Sequence, residues 1–375
     1  MLICPSFFDS RRDGIGRVSG AFFDAMSSRY KSPPFLLSAN DPEGSCSASA
    51  GHCFGRHYRG MGWWSATRRP VLATSSMPIV CMHLGLSPVA RLLAFRSSRP
   101  YAVFLHGVEC WHSLRLRARW GMSGADTLLF NSNHTRDTFL KFNPWATTKR
   151  LRVIPLGVPL SLLNQQNVGP SSKSLASVET PLRVLCVGRM SKADYYEGFR
   201  EGNGLYKGFK VLIEAIGLAS KSGLSVRLEI VGDGDARPEL ETWLSSLPES
   251  RFVSLLGRVS DERLAQAYRD NDVFCLPSEG EGFGLVFAEA MAQGLPCVCV
   301  AAGAAPEVVT NQVTGLVARP RDVDDLASKF LLLGRDTPLR MRLSAAARQR
   351  VVDFFAYDKF LARIDDALAE LEPKP

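Results

Sequence analysis

PSEGEGFGLVFAEAMAQGLPCVCVAAGAAPEVV, residues 277–309, is the stretch whose reading decides the fold. An apolar run, DVFCLP (272–277), enters it, and glycines at 280, 282 and 284 make a turn. LVFAEAMA then reads as a helix, and a second apolar run, PCVCVAA (296–302), follows. Strand, turn, helix and strand in that order make the unit of a parallel sheet. The glycines let the backbone come close to a ligand and expose the first amides of the helix. Those amides and the helix dipole suit a phosphate. Glu281 stands just before the helix and Glu289 more than one turn inside it, so the two reach different parts of one extended ligand. Carboxylates accept hydrogen bonds from sugar and ribose hydroxyls. A phosphate cradle joined to two hydroxyl readers fits a nucleotide-sugar. The plainer alternative is a buried strand–turn–helix whose acidic residues serve the dipole.

The pattern continues outward from this unit. LRVLCVG (182–188), VRLEIVG (226–232) and FVSLLG (252–257) are further strand-like runs. Helical stretches KGFKVLIEAIGLASKSG, RPELETWLSS and DERLAQAYRD separate them. Continuous apolar strands alternating with helices predict a parallel sheet covered on both faces. The first half repeats the pattern with MLIC, PFLLS, PIVCM, YAVFL, TLLF and LRVI. Between the halves, SLLNQQNVGPSSKSLASVETP (161–181) is polar and rich in Ser, Pro and Gly, as an interdomain linker would be. Two doubly wound domains would bind ligands outside the C-terminal ends of their strands.

At 375 residues the chain exceeds what one core usually supports, and its 46% hydrophobic and 22% charged residues are those of a globular protein. No apolar run is long enough to span a bilayer, and no charged-then-apolar secretion signal opens the sequence. The reading is therefore cytoplasmic. Nine cysteines lie scattered, several inside apolar runs, with no CxxC spacing for zinc or redox work. Charge is unevenly divided. Residues 1–180 hold 21 Lys and Arg against 9 Asp and Glu, while the remainder holds 24 against 28. All six histidines also fall in the first part. A basic half implies an anionic partner: a membrane surface, a diphosphate-linked lipid or nucleic acid. A solvated basic face with no partner is the plainer alternative. RLLAFRSSR (91–99), HSLRLRARW (112–120) and RHYRGMGWWSATRR (56–69) mix basic with apolar or aromatic residues, as a peripheral membrane surface does. No nucleic-acid-binding module accompanies the charge, which argues against that partner.

The 277–309 segment resembles the E-x7-E signature of the retaining glycosyltransferase family 4, which has the GT-B fold. The likeness runs on through EAMAQGLP, APEVV and TGLV. It implies an α/β architecture of two Rossmann-like, doubly wound domains facing each other across a cleft. The first, acceptor-side domain is expected over 1–165, a linker over 166–181 and the nucleotide-sugar domain over 182–351. A helix at 352–375 would return to the first domain.

Gly188 and Arg189 follow the first strand of the second domain, where a guanidinium suits a diphosphate. The resemblance pairs this arginine with a lysine opening the next helix. Lys207, before GFKVLIEAI, takes that role, with Lys192 as rival. Between them SKADYYEGFREGNGLY (191–206) is longer than most relatives carry. GDG (232–234) lacks the third glycine of a dinucleotide fingerprint, because Arg237 stands there. The resemblance sets Gly232 and Gly257-Arg258-Val259 near the nucleotide base. DGIGR (13–17) resembles the family's GGIGR loop, with Asp13 for the first glycine and Gly16 retained beside the donor diphosphate. In FLHGVECW (104–111), His106 would face the transferred sugar and Glu109 the acceptor. Asn131-Ser132-Asn133 resembles a strand-end serine lining the cleft. Glu307 is left without a role.

The resemblance thus implies a catalytic set of His106, Arg189, Lys207 and Glu281. It implies a donor site of Gly16, Gly188, Arg189, Lys207, Gly232, Val259, Glu281, Gly282, Phe283, Gly284 and Glu289. No cofactor or metal is expected, the nucleotide-sugar being a co-substrate. The activity implied is retaining transfer of a hexose from a UDP-sugar or GDP-mannose to a glycan or polyprenyl-diphosphate-linked sugar, in surface polysaccharide biosynthesis. A non-catalytic binding module on the same scaffold, or another GT-B enzyme such as a sugar epimerase, is the alternative.

Overall fold

The structure, a computed structural model, describes residues 1–5, 14–39, 41, 51–53, 77–159, 162, 180–192 and 207–372. Asp13, the basic aromatic run 56–69, most of the linker (163–179) and most of the insertion (193–206) lie outside the described residues. The chain divides into two compact units, Met1–Leu156 with Tyr357–Pro375, and Gly157–Ala356.

In the first unit β1 (Leu2–Cys4), β2 (Leu36–Ser38), β3 (Gly51–Cys53), β4 (Ile79–Cys81), β5 (Tyr101–Leu105), β6 (Thr127–Phe130) and β7 (Arg150–Val153) make one parallel sheet. Its strand order is β3-β2-β1-β4-β5-β6-β7. Ile3 pairs with Leu37 on one side and Cys81 on the other, so the order reverses at β1/β4. Every residue of β5 is buried, as the unbroken run YAVFL requires of a strand covered on both faces. The helices are α1 (Gly14–Tyr30), α2 (Ser87–Ser97), α3 (Leu116–Ser123) and α4 (Asn133–Phe142). Helix α1 buries Val18, Phe22, Ala25 and Met26, a three-and-four spacing that makes one face. Phe22 meets Phe104 of β5 edge-on, with centroids 5.5 Å apart.

The second unit alternates strand and helix throughout. Its elements are β8 (Leu182–Val187), α5 (Phe209–Lys221), β9 (Val226–Val231), α6 (Arg237–Ser245), β10 (Val253–Gly257) and α7 (Asp261–Asp270). They continue as β11 (Val273–Cys275), α8 (Leu285–Ala292), β12 (Cys297–Val300), α9 (Ala305–Val308) and β13 (Gly315–Ala318). Helices α10 (Val323–Arg335) and α11 (Thr337–Arg350) follow. The sheet is parallel in the order β10-β9-β8-β11-β12-β13, the doubly wound order with its reversal at β8/β11. Helix α5 buries Phe209, Leu212, Ile213 and Ile216 and packs beside α10. Cys186, Cys275, Cys297 and Cys299 are buried in the strands, and burial pushes the Cys299 thiol up to about 12. They serve as small apolar side chains.

The final stretch, expected as one helix, is broken in two. A π-helical turn, Val351–Phe355, closes the second unit, and Ala356 is extended. Helix α12 (Tyr357–Ala369) then packs on α1 inside the first unit. Two strands were not expected, β3 and β13. Among the described residues no helix is long and apolar enough to cross a membrane.

Candidate functional site

The site in the second unit is built where its sheet reverses. Strands β8 and β11 are hydrogen-bonded neighbours, pairing Phe274 with Leu185. Their C-terminal ends lead to Gly188-Arg189 and to the glycine-rich turn 280–284. Gly208 caps α5 with φ +73°, and a Cβ there would fall 2.3 Å from the Pro277 carbonyl oxygen. Only glycine lets the start of α5 sit so close to the end of β11. Gly284 caps α8 with φ +88°, so a second helix also opens at this edge. Leu285 and Val286 occupy the first helical positions of α8, whose amides find no partner within a helix.

Lys207 and Glu281 meet at this edge. The Lys207 ammonium donates to Glu281 Oε1, with side-chain exposures of only 14% and 11%. The Glu281 backbone is itself held, since the Ala304 amide donates to its carbonyl at 2.9 Å. Glu289 is the fifth residue of α8 and is buried. It accepts from the Tyr268 hydroxyl at 3.1 Å, across from α7. Phe283 is buried against Phe355, centroids 5.8 Å apart, and Gly282 is half-buried.

Arg189 is exposed and makes no ion pair among the described residues. Lys192 instead reaches Glu239 at 2.5 Å, and its amide donates to Asp235 at 2.9 Å. The ends of β8 and β9 touch. A Cβ on Gly232, φ +142°, would lie 1.9 Å from the Gly188 carbonyl oxygen. The Gly232 amide donates to the Gly257 carbonyl at 2.9 Å, and half-buried Val259 follows two residues on. Gly188, Gly232 and Gly257 therefore line one edge, level with Arg189.

In the first unit His106 leaves the end of β5. Its Nε2 lies 2.8 Å from the Met82 carbonyl oxygen, which can only accept, so Nε2 carries the proton. The His106 amide donates to Glu109 Oε1 at 2.5 Å, and Asn131 Nδ2 donates to the His106 carbonyl at 2.5 Å. Glu109 and Asn131 thus fix the strand end that presents the imidazole. Ser132 caps α4, its hydroxyl accepting the Thr135 amide at 3.0 Å. Gly16 differs from expectation: it lies in the first turn of α1 and not in a loop before it. Among the described residues no cluster of three or more His, Cys, Asp or Glu is placed to hold a metal ion.

Residues 203–350 match the family model described as glycosyl transferases group 1. Over that segment the chain is similar to the glycosyl transferases group 1. It is 36% identical over 126 residues to sulfoquinovosyl transferase of Arabidopsis thaliana, a match of 33% of this chain and 24% of that protein. It is 29% identical over 299 residues to a GDP-mannose-dependent alpha-(1-6)-phosphatidylinositol monomannoside mannosyltransferase of Mycobacterium tuberculosis. That match takes in 76% of this chain and 72% of the relative. The chain thus spans about a quarter of the first relative's length, 24%, and most of the second's. The Anabaena protein HepE, whose crystal structure holds UDP, matches with a TM-score of 0.76 at 20% identity, over 98% of this chain and 99% of that one. The likeness fixes the fold as GT-B.

The sequence reading missed two parts of this site. Tyr268 sits in DERLAQAYRD as one apolar position of a helix, and only the fold brings it to Glu289. Gly303, φ +61°, lies under Glu281: a Cβ there would be 3.0 Å from that residue's amide and carbonyl. Its signal was the AGAAPEVV run, whose glycine comes three residues after the end of β12.

Proposed function

We propose that the protein transfers a hexose from a nucleotide-diphosphate sugar to a glycan or polyprenyl-diphosphate-linked sugar. In this reading transfer retains anomeric configuration and uses no bound metal, as the family 4 resemblance implies, and serves surface polysaccharide biosynthesis in the cytoplasm. The observation that carries it is the convergence at the β8/β11 reversal of Arg189, Lys207, two buried carboxylates and the N-terminus of α8.

Breaking the bond between sugar and diphosphate leaves positive charge on the ring and negative charge on the departing phosphate. Arg189, Lys207 and the amides opening α8 stabilise that phosphate. Loss of one such contact typically costs about 3 kcal/mol, on the order of a hundredfold in rate. Glu281 holds sugar hydroxyls and Glu289 the ribose, while the backbone at Gly188, Gly232 and Val259 lies beside the nucleotide. The acceptor hydroxyl attacks the anomeric carbon, and its proton passes to the leaving phosphate oxygen. His106 faces the transferred sugar and Glu109 serves the acceptor side.

Thermal stabilisation by a panel of UDP-, GDP-, ADP- and dTDP-sugars, in the presence of a chelator, tests the reading. A ligand bound only by the folded state raises the melting temperature with its saturation. One clear hit, lost in Glu289→Ala, is the expected result and names the donor. No hit across the panel, with the protein folded, overturns the mechanism.

A further inference from the structure

Arg237 breaks the glycine fingerprint of the GDG turn, and the transfer proposed above gives its side chain no task. In a dinucleotide-binding turn the third glycine lets helix and strand pack closely. Here an arginine opens α6 instead, and its guanidinium lies over the end of β10. A Cβ on Gly257, φ +69°, would fall 2.3 Å from Arg237 Nη1. The bare backbone of Gly257 is therefore the seat on which the guanidinium rests. Two carboxylates hold it there. Arg237 Nε donates to Glu241 Oε1 at 2.6 Å, one turn along α6, and Nη1 stands 3.9 Å from Asp233 Oδ1. The turn that carries Asp233 is tied to the end of β8. The Met190 amide donates to the Asp233 carbonyl, and the Ala236 amide to the Met190 carbonyl, each at 3.0 Å. Among the described residues the guanidinium makes no hydrogen bond other than that to Glu241, and the side chain is 29% exposed. Its two outer nitrogens face outward from a fixed base.

We propose that Arg237 selects the base of the donor by donating to a keto oxygen, favouring uridine and guanosine diphosphates over adenosine and cytidine diphosphates. The inference rests on the nucleotide-sugar reading of the second unit and deepens it. Along the C-terminal edge of the sheet the strand order is β10-β9-β8-β11. Glu281, the sugar reader, lies beyond β11, and Arg189, the diphosphate cation, beyond β8. A donor extended along that edge carries its base onward toward β9 and β10. Neighbouring strands stand about 4.8 Å apart, so the end of β10 lies about 10 Å past that of β8. Arg237 is the cation standing at that end. A guanidinium donates and never accepts. Guanine, like uracil, presents a keto oxygen where adenine and cytosine present an amino group. Donor would then face donor, and a guanidinium held by Glu241 and Asp233 cannot turn aside to relieve it. A site built to donate one hydrogen bond rejects the analogue that cannot accept it.

The test is titration calorimetry of the full chain with UDP, GDP, CDP and ADP. Wild type is compared with Arg237→Met, which keeps the stem and removes the guanidinium, and with Arg237→Lys, which keeps the charge. Matching melting temperatures confirm that the variants fold, and the wild-type ranking tests the proposal without them. Expected is wild-type binding of UDP or GDP on the order of tenfold tighter than CDP and ADP. Arg237→Met should lose that preference by weakening the keto bases alone, and Arg237→Lys should recover part of it. Equal wild-type affinity for all the nucleotides overturns the proposal. So does uniform weakening in Arg237→Met, which would make the guanidinium a contact of the phosphates or of a ring face. A preference that survives in Arg237→Met overturns it as well. Each of these leaves the nucleotide-sugar reading standing, because nucleotide still binds. Folded wild type that binds none of them overturns both.

Discussion

Lys207 and Glu281, 74 positions apart in the chain, are ion-paired at the C-terminal edge of the second sheet. The cation assigned to the diphosphate and the carboxylate assigned to the sugar therefore hold one another before any donor arrives. In the proposed function a nucleotide-sugar would share that lysine. Pre-pairing keeps both side chains in place in a largely dry setting, so donor binding redirects charges that are already positioned.

Glu281→Ala removes the carboxylate that faces the mostly buried Lys207 ammonium, a loss of about 3 kcal/mol by analogy with buried pairs. Denaturant unfolding should show that drop, and the Lys207→Ala/Glu281→Ala double variant should recover part of it. If the double variant loses the sum of the two single losses, the residues act independently and the pairing has no energetic weight. Donor-dependent turnover should fall at least a hundredfold in each variant.

Tyr268 acts through Glu289. Tyr268→Phe keeps the ring, which tilts against Phe274 at 6.1 Å, and deletes only the hydroxyl that holds Glu289 Oε2. A buried hydrogen bond of this kind is worth about 1 kcal/mol. The expected result is a several-fold rise in donor KM with kcat almost unchanged, because a ribose contact is made equally in ground and transition states. An unchanged KM alongside a lowered melting temperature would make Tyr268 a packing residue only.

Gly208→Ala tests the junction of α5 with β11. The substitution meets both a left-handed backbone, φ +73°, and a Cβ position 2.3 Å from the Pro277 carbonyl oxygen. Backbone cannot yield as a flexible side chain does, so stability should fall by about 2 kcal/mol or more. Lys207 immediately precedes this point, and donor affinity should weaken with it. A variant as stable as wild type would mean that α5 can start elsewhere.

How much of this was legible beforehand depends on the range of the interaction concerned. Parallel sheets could be read from runs such as YAVFL and LRVLCV, because a strand covered on both faces must be apolar throughout. β3 escaped because Gly-His-Cys has no such run, and β13 because Gly-Leu-Val-Ala is short and looked like part of a motif. The Ser132 cap was written locally, a serine three residues before Thr135, and could have been read as the start of a helix. No local pattern announces that Lys207 meets Glu281, or Tyr268 meets Glu289. Those pairs exist only once the sheet order places β8 beside β11 and lays α7 near α8.

The last helix is clamped by a pair that acid should release. Arg29 of α1 donates to Glu372 at 2.9 Å and to Asp365 at 2.9 Å, and the Tyr357 hydroxyl donates to Asp24 at 3.0 Å. The Arg29 hydrogen bond holds the Glu372 carboxyl below the usual carboxylate range. A carboxyl so depressed stabilises the fold fully above its unfolded pKa, about 4.3, and loses that contribution as pH falls through the lower folded value. Both partners are partly exposed, so solvent screening limits the contribution to about 1 kcal/mol or less. The exchange protection of α12, relative to the intrinsic amide rate at each pH, should therefore fall as the pH drops below about 4, while the sheet of the first unit stays protected. In Arg29→Ala the helix should exchange faster already at neutral pH and respond little to further acid. If α12 keeps its protection in that variant, packing against α1 alone holds it, and the charged clamp is incidental.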